Sequence, residues 1–333
     1  MIKTLGILTS GGDAPGMNPA IRAVVRTARN HGARTIGFAN GFDGIFDEEI
    51  IELNDGFVTS NMDRGGTILQ SSRCKRFYHE EKRTEAFHRL REMDVSGLIV
   101  IGGDGSLHGA RALHQLGLPT IGIPGSIDND IWGTEMCIGV DTAANTILSM
   151  VDRIKDTARS HRRCFLIEVM GRNSGYLGLI SAISCGAEVA VIPEFRPNYA
   201  RILERMNKRF AQTRNNSTII LSEGVCHTEE FVSRIGELEN SDKLCREIRK
   251  TVLGHVQRGG SPSHFDRVLA SRMGELAAIA ILQGESGSMT ALRKGRISIL
   301  DLDHTLGRKK HPAMDMLRLA RNLNIDFGDP VEV

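Results

Sequence analysis

Short apolar, β-branched runs alternate with amphipathic stretches along almost the whole chain, and this alternation constrains the fold more than any other feature. The candidate strands are 4–9, 35–39, 96–102, 120–124, 164–170, 188–193, 217–223 and 296–300. The candidate helices are 17–30, 83–93, 106–115, 141–160, 174–184, 198–212, 242–253 and 266–283. Strands that are apolar throughout and separated by helices predict βαβ units and mainly parallel sheets covered on both faces. We therefore predict an α/β fold.

Composition and charge narrow the class of partner. The 333-residue chain has a net charge of +2, so it carries no broad positive field for nucleic acid or an anionic membrane. Its N-terminus lacks the long apolar run of a signal peptide, and no stretch approaches the ~20 apolar residues of a membrane span. The six cysteines include no CxxC pair, which favours free thiols in a reducing compartment. We predict a cytoplasmic protein of two or three domains that binds neither nucleic acid nor membranes.

Three glycine-rich loops follow candidate strands: TSGGDAPG at 9–16, IGGDGS at 101–106 and PGSIDND at 124–130. In an open parallel sheet, ligands bind beyond the carboxyl ends of the strands, where such loops lie. Glycines allow a close approach of the backbone, and the N–H groups that start the following helix favour an anion such as phosphate. The first loop has neither the Walker A lysine nor the GxGxxG spacing of dinucleotide-binding proteins.

Two of these loops also carry acids. Asp104 lies between glycines, where a carboxylate can hold Mg²⁺ together with phosphate oxygens and water, and Ser106 is a candidate N-cap. Asp128 and Asp130 offer a general base and a second acid, and Ser126 offers a hydroxyl to a phosphoryl oxygen. Each loop by itself also fits an ordinary turn, because Asp, Gly and Ser are common turn residues. The three loops together favour phosphoryl transfer.

Basic residues stand near two further strand ends. Arg172 follows the strand at 164–170, where an arginine can clamp a phosphoryl group during transfer. His255 and Arg258 are three residues apart, with Arg249 upstream, and such a set suits a phosphomonoester. A surface ion pair for Arg172 and a basic helix face for the other residues explain the same sequence, so this choice stays open.

The motifs TSGGDAPGMN, GGDGS, PGSIDND, MGR and GHVQRGG, in this order, resemble those of bacterial ATP-dependent 6-phosphofructokinases. The resemblance runs over nearly the whole chain and fades in the last thirty or so residues. It implies two doubly wound, mainly parallel-sheet domains with the active site in the cleft between them. The implied nucleotide and Mg²⁺ domain comprises 1–139 and 256–306. The implied sugar-phosphate domain comprises 140–255 and 307–333.

The resemblance also implies a role for each motif residue. Asp128 corresponds to the general base that takes the proton of the sugar 1-hydroxyl, and Asp130 supports the base and the metal. Ser126 and Arg172 would stabilise the moving phosphoryl group, and Asp104 would hold Mg²⁺. The residues implied to bind ATP are Gly12, Arg73, Cys74, Gly103, Asp104, Gly105 and Ser106. Those implied to bind fructose 6-phosphate are Ser126, Asp128, Arg163, Met170, Gly171, Arg172, Glu223, Arg249, His255 and Arg258.

In this family the arginines that correspond to Arg163 and Arg249 act from a neighbouring subunit, which implies a homo-oligomer, usually a tetramer. Diphosphate-using relatives carry aspartate at the position of Gly105 and lysine at that of Gly125, so the two glycines favour ATP. The usual threonine of the PGTIDND motif is Ser126 here, which keeps the hydroxyl but leaves its rotamer less fixed.

A second site in the family binds a nucleotide or phosphoenolpyruvate effector. The residues that match it are Arg22, Arg26, Lys155, Glu188 and Arg214. However, Asp55 stands where an arginine is typical, and Gln212 stands where a lysine is typical. We therefore expect control by ADP or phosphoenolpyruvate to be weakened or redirected, because an acid reverses the local charge.

Other functions fit parts of the sequence. A kinase of the same family could use diphosphate, or another sugar such as tagatose 6-phosphate or sedoheptulose 7-phosphate, and the motifs do not fix the sugar. A nicotinamide-dependent dehydrogenase is disfavoured because the GxGxxG motif and its ribose-binding acid are missing. A non-catalytic regulatory subunit should have lost the base or the metal ligand, yet Asp128, Asp104 and Arg172 are all present.

Overall fold

The computed structural model describes residues 2–161, 163–213, 217–238 and 248–330, apart from the side chains of 158–161 and 210–213. These residues form an α/β structure with mainly parallel sheets, so the predicted fold class is confirmed. The chain divides into two compact units. The first comprises the residues up to Ile127, Ile131–Thr142 and Arg258–Lys310, and the second comprises Asp128–Asp130, Ala143–Gln257 and the residues from His311 onward. The domain boundaries and the cleft implied by the sequence stay predictions.

The described strands are β1 (Thr4–Ser10), β2 (Arg34–Phe38), β3 (Ile50–Glu52), β4 (Gly97–Gly102), β5 (Thr120–Pro124), β6 (Cys164–Val169), β7 (Val189–Val191), β8 (Phe195–Arg196), β9 (Ser217–Ser222), β10 (Ile248–Val252), β11 (Ser288–Arg293), β12 (Arg296–Asp301) and β13 (Asp329–Pro330). The described helices are α1 (Met17–Asn30), α2 (Asp43–Phe46), α3 (Asp55–Thr59), α4 (Glu80–Glu92), α5 (Asp104–Gln115), α6 (Val140–His161), α7 (Tyr176–Cys185), α8 (Tyr199–Thr213), α9 (Thr228–Leu238), α10 (His264–Leu282), α11 (Leu302–Thr305) and α12 (Met314–Asn322). Short 3₁₀ helices cover Lys75–Tyr78 and Gly254–Arg258.

The first unit is built on a seven-stranded sheet in the order β12-β11-β5-β4-β1-β2-β3. The pairs from β11 through β2 are parallel, and the edge strands β12 and β3 run antiparallel to their neighbours. Every residue of β1, β4 and β5 is buried, as expected for apolar strands covered by helices on both faces. The parallel order brings the carboxyl ends of β5, β4 and β1 side by side.

Two helices of the first unit pack closely because one of them carries a glycine at the contact. A Cβ added at Gly274 of α10 would lie 2.6 Å from the carbonyl oxygen of Ala20 in α1. The carboxylate of Asp266, also in α10, accepts hydrogen bonds from Gly139 N (2.9 Å) and Thr142 N (2.8 Å). This buried acid therefore satisfies the backbone at the start of α6, where N–H groups have no partner within the helix.

The second unit has a four-stranded parallel sheet in the order β10-β6-β9-β7 and a two-stranded pair of β13 with β8. Its core joins sheet residues such as Leu166 and Leu221 with Met206 of α8 and Phe231 of α9. Within the described residues, no helix is long and apolar enough to span a membrane.

The helix predicted at 242–253 is wrong over its described part. Residues Ile248–Val252 form β10, which pairs in parallel with β6 (Thr251 with Ile167, for example), and 242–247 lie outside the described residues. The local apolar spacing of this stretch fits a helix, but β6 offers an open edge for hydrogen bonding. The sequence prediction also missed β3, β8, β11 and β13, which are short or lie near the edges of their sheets.

Candidate active site

The three glycine-rich loops follow β1, β4 and β5, which are neighbours in the first sheet, and hydrogen bonds join the loops. Gly125 N donates to the carbonyl oxygen of Gly102 (3.0 Å), linking the loops after β5 and β4. Ser106 Oγ donates to the carbonyl oxygen of Ser10 (2.9 Å), linking the loops after β4 and β1. The structure thus brings together the backbone segments that the sequence predicts as a phosphate site.

The second loop presents an accessible carboxylate. Helix α5 begins at Asp104 with Gly103 as its N-cap, so Ser106 is not the predicted N-cap and its hydroxyl serves the first loop instead. The Asp104 side chain is 55% exposed, and its Oδ2 lies 3.6 Å from His108 Nε2. A Cβ added at Gly105 would meet no described atom within 4 Å. The carboxylate therefore faces open space.

A metal ion at this position would need ligands from the substrate. No group of three or more His, Cys, Asp or Glu in the described part of the chain is arranged to hold a metal. Mg²⁺ commonly takes one or two carboxylates and completes its shell with phosphate oxygens and water. The single open carboxylate of Asp104 fits that donor set.

Arg258 lies over Gly12 of the first loop. A Cβ added at Gly12 would overlap the Arg258 guanidinium, so only glycine leaves this space. The Arg258 side chain is 19% exposed, and its Nη1 lies 3.9 Å from Asp13 Oδ1, a long ion pair. Its Nε is buried and makes no hydrogen bond within the described residues. A buried donor without an acceptor costs about 1–3 kcal/mol, and an anion bound beside the guanidinium would supply the acceptor.

Arg73 and Cys74 lie on a segment attached to the same loop. Ser71 Oγ donates to the carbonyl oxygen of Gly11 (2.8 Å), and Gly11 N donates to that of Ser72 (3.1 Å). Arg73 is exposed and Cys74 is buried. Burial, followed by its hydrogen bond to Asp43, raises the pKa of the Cys74 thiol to about 11. The thiol is therefore protonated at neutral pH and acts as a hydrogen-bond donor and a packing group.

The PGSIDND stretch alternates in burial. Ile127 and Asn129 are buried, whereas Ser126, Asp128 and Asp130 are only partly buried. Asn129 adopts a left-handed conformation with φ of 51°, which asparagine tolerates better than most residues. The alternation leaves Ser126, Asp128 and Asp130 partly exposed as residues, although Asp128 Oδ1 itself is buried.

The MGR loop of the second unit has a backbone that side chains would disrupt. Gly171 has φ of +125°, and a Cβ there would overlap the carbonyl oxygen of Ser174. At the end of the loop, Gly175 N donates to both carboxylate oxygens of Glu194 (2.8 and 3.1 Å). Burial raises the pKa of Glu194. Arg172 therefore lies on a loop held at both ends.

Met170 and Glu223 follow adjacent parallel strands, β6 and β9. Glu223 N donates to the carbonyl oxygen of Val169 (2.9 Å), and Met170 N donates to Gln257 Oε1 (3.0 Å). Burial raises the pKa of Glu168 in β6, and the negative charge of Glu223 adds to this. The carboxyl ends of these strands thus gather Met170, Glu223 and the MGR loop, and the exposed His255 follows β10 at the same end of the sheet.

The structure does not place Arg163 and Arg249 near the carboxyl ends of β6 and β9. Arg163 directly precedes β6, and Arg249 pairs with Phe165 near the start of that strand. Met170 and Arg172 follow its other end. Because β6 has six residues and a strand rises ~3.3 Å per residue, the two sets lie roughly 20 Å apart along the strand.

Three of the residues matched to an effector site, Arg26, Lys155 and Glu188, make internal contacts. Asp55 pairs with Arg26 (Nε to Oδ1, 3.3 Å) and with Arg29 (Nη1 to Oδ2, 2.7 Å). In the second unit, Lys155 donates to the carbonyl oxygen of Cys185. Glu188 accepts from Thr218 N (2.7 Å) and Arg209 Nε (3.0 Å). Arg214 and the side chain of Gln212 lie outside the described residues.

A family model described as "Phosphofructokinase" matches residues 4–281, which is well over half of the chain. The chain belongs to the phosphofructokinase family. Two curated bacterial relatives are named ATP-dependent 6-phosphofructokinase. The chain is 44% identical to that of Halalkalibacterium halodurans over 324 residues, covering 97% of this chain and 100% of the relative. It is 46% identical to that of Listeria welshimeri over 314 residues, covering 92% and 97%.

Solved phosphofructokinase structures have a similar fold. The Pichia pastoris phosphofructokinase in the T-state gives a TM-score of 0.85 at 33% identity, covering 92% of this chain and 35% of that much longer chain. The pyrophosphate-dependent phosphofructokinase of Marinobacter aquaeolei gives a TM-score of 0.84 at 22% identity, covering 100% and 94%. The second likeness is one of fold alone.

The phosphofructokinase motifs name the loops but not the residues that hold them in place. Asn18 is buried, donates to the carbonyl oxygen of Arg64 (3.1 Å) and accepts from Ile68 N (2.8 Å). Glu194 and Asp266 play a similar part at the starts of α7 and α6. Asn18 ends the motif TSGGDAPGMN, but the motif alone does not give it this role. Glu194 and Asp266 stand in none of the motifs, and sequence reasoning could not have found them because each acts on a backbone far away in the chain.

Proposed function

We propose that the chain transfers the terminal phosphoryl group of ATP to the 1-hydroxyl of fructose 6-phosphate, giving fructose 1,6-bisphosphate and ADP in glycolysis. The observation that carries this proposal is the hydrogen-bonded convergence of three glycine loops at neighbouring strand ends, in a chain of this family. The names and the near-complete coverage of the curated relatives support ATP as the donor. The cytoplasmic location stays a prediction.

In the proposed reaction, Asp128 takes the proton of the sugar 1-hydroxyl, and Asp130 supports that base. Ser126 and Arg172 donate hydrogen bonds to the phosphoryl group during its transfer. Catalysis of this kind depends mainly on positioning and on electrostatic stabilisation rather than on covalent intermediates. The partial exposure of all three PGSIDND residues supports these roles.

We assign ATP to the Gly12 loop, to Arg73 and Cys74, and to the Gly103–Ser106 loop. Asp104 would hold Mg²⁺, which, when bound, would neutralise charge on the phosphate oxygens. Open space beside Gly105 supports a bulky nucleotide. A side chain at Gly125 would meet Met17 Cε at 3.1 Å, so the lysine of diphosphate-using relatives would require Met17 to move.

For fructose 6-phosphate we assign Met170, Gly171, Arg172, Glu223, His255 and Arg258, together with Ser126 and Asp128. Arg163 and Arg249 lie roughly 20 Å from Met170 along β6 by strand geometry, which supports their action in the site of a neighbouring subunit. A homo-oligomer, which we propose to be a tetramer, would then be needed for a complete site.

Effector control is the second part of the proposal. Because Asp55 supplies an acid to Arg26 and Arg29, an incoming phosphate must compete with it. Arg22 Nε, in contrast, is buried and makes no hydrogen bond within the described residues. We therefore propose that ADP or phosphoenolpyruvate control is weakened or redirected rather than abolished.

A coupled assay that compares ATP with diphosphate as donors for fructose 6-phosphate tests the proposal. We expect fructose 1,6-bisphosphate to form with ATP and Mg²⁺ and only weak turnover with diphosphate. Turnover with diphosphate but not with ATP, or no turnover with either donor, would overturn the proposal. Replacing fructose 6-phosphate with tagatose 6-phosphate or sedoheptulose 7-phosphate measures how strictly the sugar is selected.

A further inference from the structure

The segment Ser71–Tyr78, here called the nucleotide segment, contains Arg73 and Cys74. Only Lys75–Tyr78 forms a short 3₁₀ helix, and the rest has no regular structure. Two hydrogen bonds attach its first residues to Gly11. Such a segment needs further contacts to keep one conformation, because it has no strand or helix ladder of its own.

Asp43, the first residue of α2, supplies these contacts. Its Oδ2 accepts from Ser72 Oγ (2.7 Å), and its Oδ1 accepts from Arg76 Nε (3.0 Å) and Nη2 (2.7 Å). Burial opposes the charge on Asp43, but the neighbouring Cys74 thiol, Ser72 hydroxyl and Arg76 guanidinium outweigh burial and lower its pKa. One carboxylate therefore holds two residues of the nucleotide segment, Ser72 and Arg76.

Arg76 also joins the nucleotide segment to the residues at the far end of α2. Its Nη1 and Nη2 also donate to Asp47 (3.0 and 2.7 Å), and its guanidinium lies 4.6 Å from the centre of the Phe46 ring. The next residue, Phe77, stacks on Phe42 with ring centres 4.1 Å apart. Two ion pairs, of which the one with Asp47 is forked, and two ring contacts thus join the nucleotide segment to α2 and its flanking residues. A forked pair fixes orientation as well as distance.

We propose that Asp43 and Arg76 are positioning residues for the nucleotide, which keep Arg73 and Cys74 in their binding conformation before ATP arrives. This inference rests on the proposed function, since it requires that the nucleotide segment line the ATP site. The physical reason is preorganisation: a segment already ordered in the free protein does not have to be ordered when the ligand binds.

Steady-state kinetics of Asp43→Asn, Arg76→Ala and the double variant test the proposal. We expect KM for ATP to rise about tenfold in each single variant, as loss of a charge-assisted hydrogen bond predicts, while kcat and KM for fructose 6-phosphate stay within about twofold. The double variant should be little worse than either single one, because both remove the same arrangement. Arg76→Lys, which keeps the charge but loses the fork, should fall between Arg76→Ala and the unchanged chain.

Glu52→Gln is the matched control. It disrupts a forked ion pair between Arg34 and Glu52 (3.1 and 2.8 Å) on β2 and β3 of the same unit. We expect no change in any kinetic constant. If Asp43→Asn leaves KM for ATP unchanged, or lowers Tm and shifts all constants alike, the positioning role is overturned.

Alkylation of Cys74 by iodoacetamide is measured by peptide mass spectrometry with and without ATP. It distinguishes failure of the positioning role from failure of the proposed ATP site. Cys74 is 7% exposed, so it should react slowly in the unchanged chain and several-fold faster in Asp43→Asn, with ATP restoring protection. If ATP never alters Cys74 reactivity, the proposed nucleotide site fails and the inference fails with it. If ATP protects Cys74 but KM for ATP is the same in all variants, only the positioning role fails.

Discussion

Two clusters of the first unit, Arg258 with Asp13 and Arg26 with Arg29 and Asp55, differ in the distance between arginine and acid. Arg258 lies over the Gly12 loop with a long ion pair to Asp13 of 3.9 Å and a buried Nε that makes no hydrogen bond within the described residues. Arg26 and Arg29 share Asp55 at 3.3 and 2.7 Å. The first cluster leaves its positive charge available to an anion from outside, whereas the second already has an anion from its own chain.

The difference shows that the number of arginines does not identify an anion site. The exposed pairs with Asp55 contribute little to stability, on the order of 0–1 kcal/mol, but they compete with any phosphate for the same guanidinium groups. At Arg258 the competing acid is distant, and Gly12 leaves room for the guanidinium. Five substitutions test the difference between the two clusters.

The largest effect should come from the general base. We expect Asp128→Asn to lower kcat on the order of 10²-fold or more, because the sugar hydroxyl loses its proton acceptor. Asp55→Asn, the same change at the cluster with Arg26 and Arg29, should leave kcat unchanged. Single-turnover measurements with ATP and fructose 6-phosphate check both, and near-normal kcat in Asp128→Asn would show that the base is wrongly assigned.

The second largest effect should come from removing Arg258. Arg258→Ala loses charged hydrogen bonds to the sugar phosphate, and such bonds contribute about 1.5–3 kcal/mol each, so KM for fructose 6-phosphate should rise roughly 10- to 100-fold. Arg29→Ala, at the cluster with its own acid, should change KM less than about twofold. Equal effects of the two substitutions would remove the distinction between the clusters.

A buried acid–arginine cluster in the second unit extends the comparison to stability. Asp326 is 5% exposed and pairs with Arg201 (2.6 Å) and Arg205 (3.1 Å). We expect Asp326→Asn to lower the free energy of unfolding by about 1–3 kcal/mol, because two partly buried arginines lose the charge of their buried acceptor. Asp55→Asn should cost less than about 1 kcal/mol, since its pairs are exposed. Urea unfolding of both variants checks the order.

The pH dependence of Asp326 has a defined sign. Burial opposes its charge, but hydrogen bonds from Arg201 and Gly328 N, with the charges of both arginines, outweigh burial and lower its pKa. Its contribution to stability is therefore complete above the ordinary aspartate pKa of about 4 and is lost as the pH falls through the lowered value. As the pH falls below about 4, Asp326→Asn should therefore lose less stability than the unchanged chain; an identical loss would exclude the pair as the cause.

The smallest effect concerns regulation. Asp55→Asn removes the internal competitor, so ADP should bind this cluster about two- to fivefold more tightly, as loss of an exposed ion pair predicts. Titration of the fructose 6-phosphate saturation curve with ADP measures the change. Strong ADP activation of the unsubstituted chain, unaltered in the variant, would contradict the role given to Asp55.

Much of the fold could be predicted because the signals are local. Helix α1 and strand β5 have the bounds that periodicity indicates, Met17–Asn30 and Thr120–Pro124. The helix predicted at 242–253 fails because a local period cannot report that β6 has an open edge for Ile248–Val252. Ser106 fails as an N-cap because α5 begins two residues earlier and its hydroxyl bonds to Ser10, in a loop far away in the sequence.

The sequence by itself determined the class of chemistry, because glycines, acids and arginines at strand ends are sufficient to indicate phosphoryl transfer, and their order indicates the family. Which charges are available follows only from the tertiary structure. Asp55 pairs with two arginines, Asp43 holds the nucleotide segment through Arg76, and Arg258 has only a distant acid. Each of these facts depends on the distance between groups on different elements, and that distance is set by packing and strand order rather than by spacing along the chain.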